Sequence, residues 1–471
     1  MKRLAPLALL CGGLLLAGCN SDDDSARSSS PGLPTAKHVL FFLGDGMGIT
    51  TLTAARIYAV GEDGNLTIDT LPETAFLKTY SHDSQVTDSA PSMAAYMTGV
   101  KSNNGVISMD ANATQEADCA DSAGSAVTTL LELAKAKGMG TGVVTSTRVT
   151  HATPAATYSH ICNRDLEYDI AAQLVPGTDS FNSALGDGVD LILGGGSKYF
   201  LPKSAGGGRS DERNLVSELQ ALDYQYASNL NELVAADTSK RLLGLFNSSH
   251  LAYDLDRLNG DAPTEPSLAE MTAKAIDMLG SKEEGFFLMV EGGRIDHALH
   301  DTNAKRALQD TVAFDNAIKT ALDKMKVIDP DLSETLIVVT ADHDHTLVLN
   351  GYAQRTGKTT ASQAGVLGVV KNYGGSSAGE PATDADGAPY TIIGFGNGSN
   401  RIDGPREALD DDTTSADDYR QEVVFKTGTP GSESHGGTDV FLGAIGQGAD
   451  SFHGVMENTA VFDKIKAAAA L

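Results

Sequence analysis

The feature that most constrains this chain is a recurring order of apolar run, glycine-rich or acidic turn, and helical pattern. The first run, residues 38–43, ends in Gly44-Asp45-Gly46-Met47-Gly48 and precedes a helical stretch at about 50–60. Continuous apolar runs are typical of strands buried on both faces, and their alternation with helices favours parallel pairing. The sequence therefore predicts an α/β fold with a mainly parallel central sheet and helices on both faces. The predicted strands are residues 38–43, 142–145, 191–193, 285–291, 336–340 and 390–394.

One long segment departs from this pattern. Residues 351–418 are polar and rich in Gly, Ser and Asp. We interpret this segment as an insertion over one end of the sheet, with the strand at 390–394 inside it. Because candidate metal ligands lie on both sides of the insertion, the sequence predicts one catalytic domain at 37–471.

The N-terminus has the pattern of an export signal. A basic start is followed by apolar residues 4–16, which are too few for a membrane span of about 20 residues. The run ends in Leu16-Ala17-Gly18-Cys19, which resembles a bacterial lipobox. We predict a signal peptide at 1–18 and a lipidated, flexible tether at 19–36, hence an exported lipoprotein of the periplasm or outer membrane. The alternative is an ordinary signal peptide with an incidental cysteine.

Of the four cysteines, Cys11 leaves with the predicted signal peptide, and if Cys19 carries lipid, Cys119 and Cys162 remain. In an exported and oxidising compartment, a disulfide between them is the simplest pairing. The alternative is two buried thiols.

The charge balance excludes one class of partner. The chain has 62 acidic and 35 basic residues, which gives a formal net charge of −27. Phosphate backbones need clustered Lys and Arg, so we expect no nucleic-acid partner.

Carboxylates and imidazoles stand where apolar strands end, and in open α/β sheets ligands bind at these carboxyl ends. Mixed Asp and His sets suit Zn²⁺, whereas oxygen-rich sets suit Mg²⁺. Any one cluster could be a solvated acidic surface, but their shared placement predicts a metal site. Asp296 and His300 are spaced i,i+4 and share one face of a helix. The candidates are Asp45, Glu291, Asp296, His300, Asp342, His343 and His435.

Three further residues are candidates for phosphate chemistry. Ser89 begins a predicted helix, where free N–H groups favour an anion, and a bound Zn²⁺ would make it a nucleophile. Arg164 could hold two phosphate oxygens at once. Thr153 lies in Thr153-Pro154-Ala155 after a predicted strand. Taken alone, Ser89 could be a plain helix N-cap and Arg164 a surface arginine.

These motifs together resemble the alkaline phosphatase family, in the family's order and over about residues 37–460. The matching segments are Gly44-Asp45-Gly46-Met47-Gly48, Thr87-Asp88-Ser89-Ala90, Thr153-Pro154-Ala155 with Arg164, Glu291 with Asp296 and His300, Asp342-His343, and His435. His151 and His297 resemble the animal-type pattern, since the enterobacterial type has Asp and Lys there.

The resemblance implies a phosphomonoesterase with two Zn²⁺ and one Mg²⁺. Ser89 would form a phosphoserine, Arg164 would hold phosphate oxygens, and Asp88 would orient Arg164. The implied ligands are Asp296, His300 and His435 for the first Zn²⁺, Asp45, Asp342 and His343 for the second, and Asp45, Thr153 and Glu291 for Mg²⁺. Many relatives are homodimers, so the resemblance leaves a monomer and a homodimer open.

Three other functions are alternatives to a phosphomonoesterase. Residues 89–93 nearly match a sulfatase pattern, but Met93 stands where that pattern has Arg. Phosphodiesterases of the superfamily often have a Thr nucleophile and lack the matching arginine. A non-catalytic, metal-binding surface lipoprotein would not need Ser89 or Arg164.

Overall fold

The computed structural model describes residues 35–120 and 122–471, and Thr35–Leu471 form one compact unit. Its strands pair into a large sheet, a three-stranded sheet and a two-stranded ribbon. The strands are β1 (His38–Gly44), β2 (Glu73–Lys78), β3 (Gly140–Arg148), β4 (Leu191–Gly195), β5 (Gln225–Ala227), β6 (Leu242–Leu245), β7 (Phe286–Gly292), β8 (Thr335–Ala341), β9 (Asp344–His345), β10 (Leu347–Leu349), β11 (Ile393–Gly398), β12 (Val423–Lys426), β13 (His435–Gly436), β14 (Val440–Gly446) and β15 (Gly454–Glu457).

The large sheet has the order β15-β2-β14-β8-β1-β7-β3-β4-β6-β5. The strands from β8 to β5 in this order pair in parallel, whereas β14 is antiparallel to both β8 and β2. The predicted mainly parallel α/β sheet is therefore confirmed. Every residue of β1, β7 and β8 is buried, which explains their unbroken apolar sequences.

Helices cover both faces of this sheet. Adjacent residues of a strand point to opposite faces, and Phe41 packs against Tyr96 while Phe42 packs against Phe314. The helices that carry Tyr96 and Phe314 thus lie on opposite sides. The helices are α1 (Ile49–Val60), α2 (Ser89–Thr98), α3 (Leu130–Ala136), α4 (Ala152–Ala155), α5 (Glu167–Ala172), α6 (Leu215–Ala221), α7 (Leu230–Ala235), α8 (Asp254–Asn259), α9 (Leu268–Leu279), α10 (Arg294–His300), α11 (Ala304–Ile328), α12 (Asp411–Thr414) and α13 (Ala460–Ala469).

The three central strands end in register. Gly44 at the end of β1 lies opposite Gly292 of β7 and Ala341 of β8. The carboxyl ends of the three strands therefore lie side by side, and they bring together the residues that follow β1 and β8 and the last residues of β7. The sequence predicts the metal ligands at these strand ends.

A small second sheet has its middle strand, β11, in the predicted insertion, while β10 and β12 lie just before and just after it. Within 347–426, β10 pairs antiparallel with β11, and β11 pairs parallel with β12. The strand predicted at 390–394 overlaps β11 and belongs to this small sheet instead of the large one. The domain boundaries themselves stay predictions.

Cys119 and Cys162 form a disulfide with their Cα atoms 5.6 Å apart, which confirms the predicted pairing. The predicted signal peptide, Cys19 and most of the tether lie outside the described residues. Among the residues that are described, no helix combines the length and apolarity of a membrane span.

Candidate active site

Three buried carboxylates meet at the carboxyl ends of the central strands. Asp45 follows β1, Asp342 follows β8, and Glu291 is the last but one residue of β7; all three are 0% exposed. Gly46 adopts a positive φ of 68°, which lets the chain turn sharply after Asp45, and its N–H donates to Asp342 Oδ1 at 2.9 Å. This hydrogen bond holds the Asp342 carboxylate against the turn that carries Asp45.

Beside them lies a second group of ligand atoms, from α10 and β13. Asp296 and His300 are one turn apart on α10, and His300 Nε2 is 3.3 Å from Asp296 Oδ1. His435 on β13 places its Nε2 3.2 Å from His300 Nε2 and 3.6 Å from Asp296 Oδ1. Ligand atoms at the usual 2.0–2.2 Å from a tetrahedral Zn²⁺ lie roughly 3.4 Å from one another. The three separations therefore match three ligands of one such ion.

The hydrogen bonds of these two imidazoles support a cation between them. The Nδ1 of His300 contacts the Glu433 carbonyl, and that of His435 lies 2.8 Å from the Thr87 carbonyl. A carbonyl accepts only, so each Nδ1 carries a proton, and in the neutral form of each ring the Nε2 lone pair points toward the carboxylate of Asp296. In that form two lone pairs and a carboxylate converge, and a cation between them would offset their repulsion.

A similar group surrounds His343. Its Nε2 is 3.3 Å from Asp342 Oδ2, 3.5 Å from Asp45 Oδ1 and 3.4 Å from Ser89 Oγ. Its Nδ1 lies 3.2 Å from the Asp344 carbonyl, again a proton on the far nitrogen. Burial lowers the pKa of His343 to about 3, so the ring is neutral. The candidate nucleophile thus lies at the edge of a second set of metal-type ligands.

The third predicted set is richer in oxygen. Thr153 Oγ1 is 3.5 Å from Asp45 Oδ2, and His151, Asp45 and Glu291 have potential ligand atoms within 4.8 Å of one another. One oxygen of Glu291 accepts hydrogen bonds from Thr145 and Thr147, and the other has no hydrogen-bond partner.

Electrostatics and hydrogen bonding both favour a cation beside these three carboxylates. Burial, with the neighbouring carboxylates, raises the pKa of Asp45 well above its ordinary value. Burial also raises the pKa of Asp342, and it raises that of Glu291 to about 7. Asp45 Oδ1, Asp342 Oδ2 and Glu291 Oε1 are buried without a hydrogen-bond partner. Such groups need a cation, so the donor set fits bound metal ions.

Ser89 is joined to Arg164 through Asp88. Asp88, not Ser89, caps α2, and its Oδ1 accepts from the Ala90 N–H at 2.7 Å and from Arg164 Nη1 at 3.2 Å. The alternative that Ser89 is the N-cap is therefore wrong. Ser89 is the first residue of α2, and its hydroxyl does not serve as the helix cap. Arg164 Nη2 also contacts His151 Nε2 at 3.1 Å.

Two groups of histidines flank these carboxylates. The acidic histidine cluster comprises His300, His345 and His435 with Asp296 and Glu433. The arginine-flanked histidine cluster comprises His151, His250 and His297 with Arg148 and Arg164. In the second, the ring centroids of His250 and His297 are 4.2 Å apart, and both are 5.5 Å from His151.

The sequence reasoning missed His345 and Glu433. His345 Nε2 is 2.8 Å from Asp296 Oδ1, and its Nδ1 is 2.5 Å from Glu433 Oε2. Burial acts against it, but Glu433 and Asp296 raise the pKa of His345 to about 10. The signal for His345 was its i+2 spacing from His343, which puts both in one extended segment; Glu433 had no such signal.

Comparison with known proteins identifies the family. The alkaline phosphatase family model matches residues 36–471. The tissue-nonspecific alkaline phosphatase isozyme of Gallus gallus is 36% identical over 92% of this chain and 84% of its own length. The membrane-bound alkaline phosphatase of Bombyx mori is 37% identical over 93% of this chain and 80% of its own. The Thermus thermophilus alkaline phosphatase structure has a TM-score of 0.66 at 25% identity, covering 95% of this chain and 96% of that one.

The fold and the site thus define a metal-dependent hydrolase, and the comparisons are specific within that class. The chain belongs to the alkaline phosphatase family. It is accordingly a hydrolase of phosphate monoesters, and the metal-type clusters at the strand ends belong to that chemistry.

Proposed function

We propose that the chain hydrolyses phosphate monoesters through a phosphoserine on Ser89, at a site that holds two Zn²⁺ and one Mg²⁺. The observation that carries the proposal is that Ser89 Oγ lies 3.4 Å from His343 Nε2, which is itself 3.5 Å from Asp45 Oδ1 and 3.3 Å from Asp342 Oδ2. Asp296, His300 and His435 would hold the first Zn²⁺. Asp45, Asp342 and His343 would hold the second, and Asp45, Thr153 and Glu291 would hold Mg²⁺.

When bound, the cations would lower the pKa of the attacking hydroxyl and offset charge on the phosphoryl and leaving oxygens. Ser89 Oγ attacks phosphorus, the bond to the alcohol oxygen breaks, and a phosphoserine forms. Water then attacks the same phosphorus from the vacated side, the serine oxygen leaves, and inorganic phosphate is released. Because only the phosphoryl group is gripped, broad monoester specificity follows.

Arg164 and α2 bind the phosphoryl oxygens during both steps. Arg164 is held on one side by Asp88 and on the other by His151, so its planar donors are oriented before substrate arrives. Ser89 lies at the N-terminus of a ten-residue helix, where the dipole and free N–H groups favour an anion. Arg164 and the N-terminus of α2 thus supply local positive potential in a protein with a net charge of −27.

Hydrolysis of a chromogenic phosphomonoester, compared with a sulfate ester and a phosphodiester, tests this proposal. We expect the monoester to be preferred, a chelator to abolish turnover, and Ser89→Ala to lose most turnover while elemental analysis finds its metals retained. Near-wild-type turnover in Ser89→Ala would remove the phosphoserine mechanism. Preference for the sulfate ester would make the chain a sulfatase instead.

We also propose an exported lipoprotein that is anchored through Cys19, on the lipobox-like Leu16-Ala17-Gly18-Cys19. The expected result is recovery in the membrane fraction and an N-terminal peptide with the mass of a lipidated cysteine. Recovery of Cys19→Ser and the wild type in the same soluble fraction would contradict it. The homodimer that many relatives form stays a prediction, which light scattering on purified protein checks.

A further inference from the structure

Glu433 is a buried acid that has no part in the reaction above. It is 2% exposed, and its side chain is fully buried. One carboxylate oxygen lies 2.5 Å from His345 Nδ1. The other accepts the Thr346 N–H at 2.9 Å and the Thr346 hydroxyl at 2.5 Å. A buried carboxylate with this many donors is fixed in one position.

The backbone of Glu433 orients His300. Its carbonyl accepts from His300 Nδ1, and its N–H donates to the His300 carbonyl at 3.3 Å. The second bond joins the two backbone segments, whereas the first sets the tautomer and the ring orientation of His300. Its Nε2 is thereby directed at Asp296 and His435.

Glu433 reaches the other two ligands by short routes. Through His345, whose Nε2 is 2.8 Å from Asp296 Oδ1, it fixes the carboxylate of Asp296. His435 follows Glu433 by two residues, in the ribbon where His435 lies opposite His345. Glu433 therefore contacts His300 through its backbone, reaches Asp296 through His345, and lies two residues before His435 in the chain.

We infer that Glu433 is the positioning residue of the first zinc site, and that it sets zinc affinity there without touching zinc or substrate. The inference rests on the proposed function. Loss of partners that orient metal ligands typically costs 10–100-fold in metal affinity. Glu433→Ala removes the carboxylate, whereas Glu433→Gln keeps its length and one acceptor oxygen, so the alanine variant should lose more.

The matched control is Glu132, another buried acid paired with a histidine. It accepts from His160 Nε2 at 2.7 Å and from the Thr129 N–H at 2.8 Å, in the cap of α3, and its hydrogen-bond partners include none of the proposed metal ligands. Glu132→Gln therefore reports what loss of a buried Glu–His pair does to stability alone.

The experiment measures zinc per mole of protein, by elemental analysis, across a chelator titration of wild type, both Glu433 variants and Glu132→Gln. We expect one zinc equivalent to leave the Glu433 variants at 10–100-fold lower chelator, while Glu132→Gln follows the wild type. Excess Zn²⁺ should restore kcat of the Glu433 variants, with a raised half-saturation concentration.

Identical zinc retention in wild type and both Glu433 variants would overturn the inference. A wild type that holds no zinc would overturn the proposed function instead. If Glu433→Ala does not fold, Thr346→Val removes one donor to the Glu433 carboxylate and should shift zinc release in the same direction. Release at the wild-type chelator concentration from both Thr346→Val and Glu433→Gln would also contradict the inference.

Discussion

The two histidine clusters differ in the groups that face the imidazole rings. In the acidic histidine cluster the rings meet carboxylates, and the pKa of His345 is raised to about 10 despite burial. In the arginine-flanked histidine cluster, burial and nearby positive groups lower the pKa of His297 to about 3 and hold that of His151 well below its usual range. His435 of the acidic cluster differs from His345, because burial holds the pKa of His435 well below its usual value. The two clusters therefore suit two different roles: the proposed zinc ligation in one, and neutral packing around arginines in the other.

Asp45 lies close to residues of both clusters. Its carboxylate has ligand atoms within 4.8 Å of Asp296 and His343 in one direction, and of His151 and Glu291 in the other. Both sets combine two carboxylates with one imidazole, but Thr153 Oγ1, 3.5 Å from Asp45 Oδ2, adds a further oxygen on the side of Glu291, and a larger share of oxygen favours Mg²⁺ over Zn²⁺. The comparison teaches that what surrounds a histidine, more than its presence, decides whether it can hold a cation.

The largest effect should come from removing one histidine from each cluster. His435→Ala deletes a proposed zinc ligand, and we expect turnover to fall on the order of 10³-fold, or about 4 kcal/mol of barrier. His297→Ala deletes a ring with no carboxylate partner, so we expect less than about tenfold. The measurement is kcat with zinc content determined in parallel. Equal losses in the two variants would break the distinction between the clusters.

The next effect concerns pH and the metal-free protein. The pKa of His345 is raised, so its stabilisation is present below pH 6.5 and is lost as pH rises toward about 10. The pKa of His297 is lowered to about 3, so this residue destabilises the folded protein increasingly as pH falls from 6.5 toward about 3. Each contributes at most about 1.4 kcal/mol per pH unit.

Urea unfolding of the chelated protein across pH 4–9.5 separates these contributions. His345→Gln should flatten the alkaline loss of stability, and His297→Gln should flatten the acid loss. If both variants changed the same limb, the electrostatic contrast between the clusters would not hold.

The smallest effect should come from the third metal site. His151 stands where a carboxylate would add negative charge, and imidazole suits a hard cation poorly. His151→Asp should therefore bind Mg²⁺ roughly tenfold more tightly, seen as a lower half-saturation concentration in an activity titration after partial chelation. The alternative is that His151 only hydrogen-bonds a water there and does not tune the site, and identical half-saturation concentrations would favour it.

Most of the fold was predictable because the central strands are buried on both faces. The runs predicted at 38–43 and 336–340 match β1 and β8 to within a residue or two. The missed strands are short or lie toward the edges of the sheet. In β2, burial alternates with exposure from Ala75 to Lys78, so no continuous apolar run marks it, and its register depends on β14 and β15.

The site was predictable only where motif and strand end coincide. Asp45, Asp342 and Glu291 lie close together because parallel strands in register have their carboxyl ends side by side. The continuous apolar runs already predict such parallel strands. Glu433 and His250 could not be found this way. Both lie in irregular segments, and only the tertiary fold brings them to His345 and His297.

The most direct test of this account is anomalous diffraction at the zinc absorption edge, from crystals of the protein loaded with Zn²⁺ and Mg²⁺. The account predicts two zinc peaks, one among Asp296, His300 and His435 and one among Asp45, Asp342 and His343. It predicts no zinc peak among the rings of the arginine-flanked histidine cluster. A zinc peak held by His151, His250 and His297, or the absence of one beside His300 and His435, would contradict it.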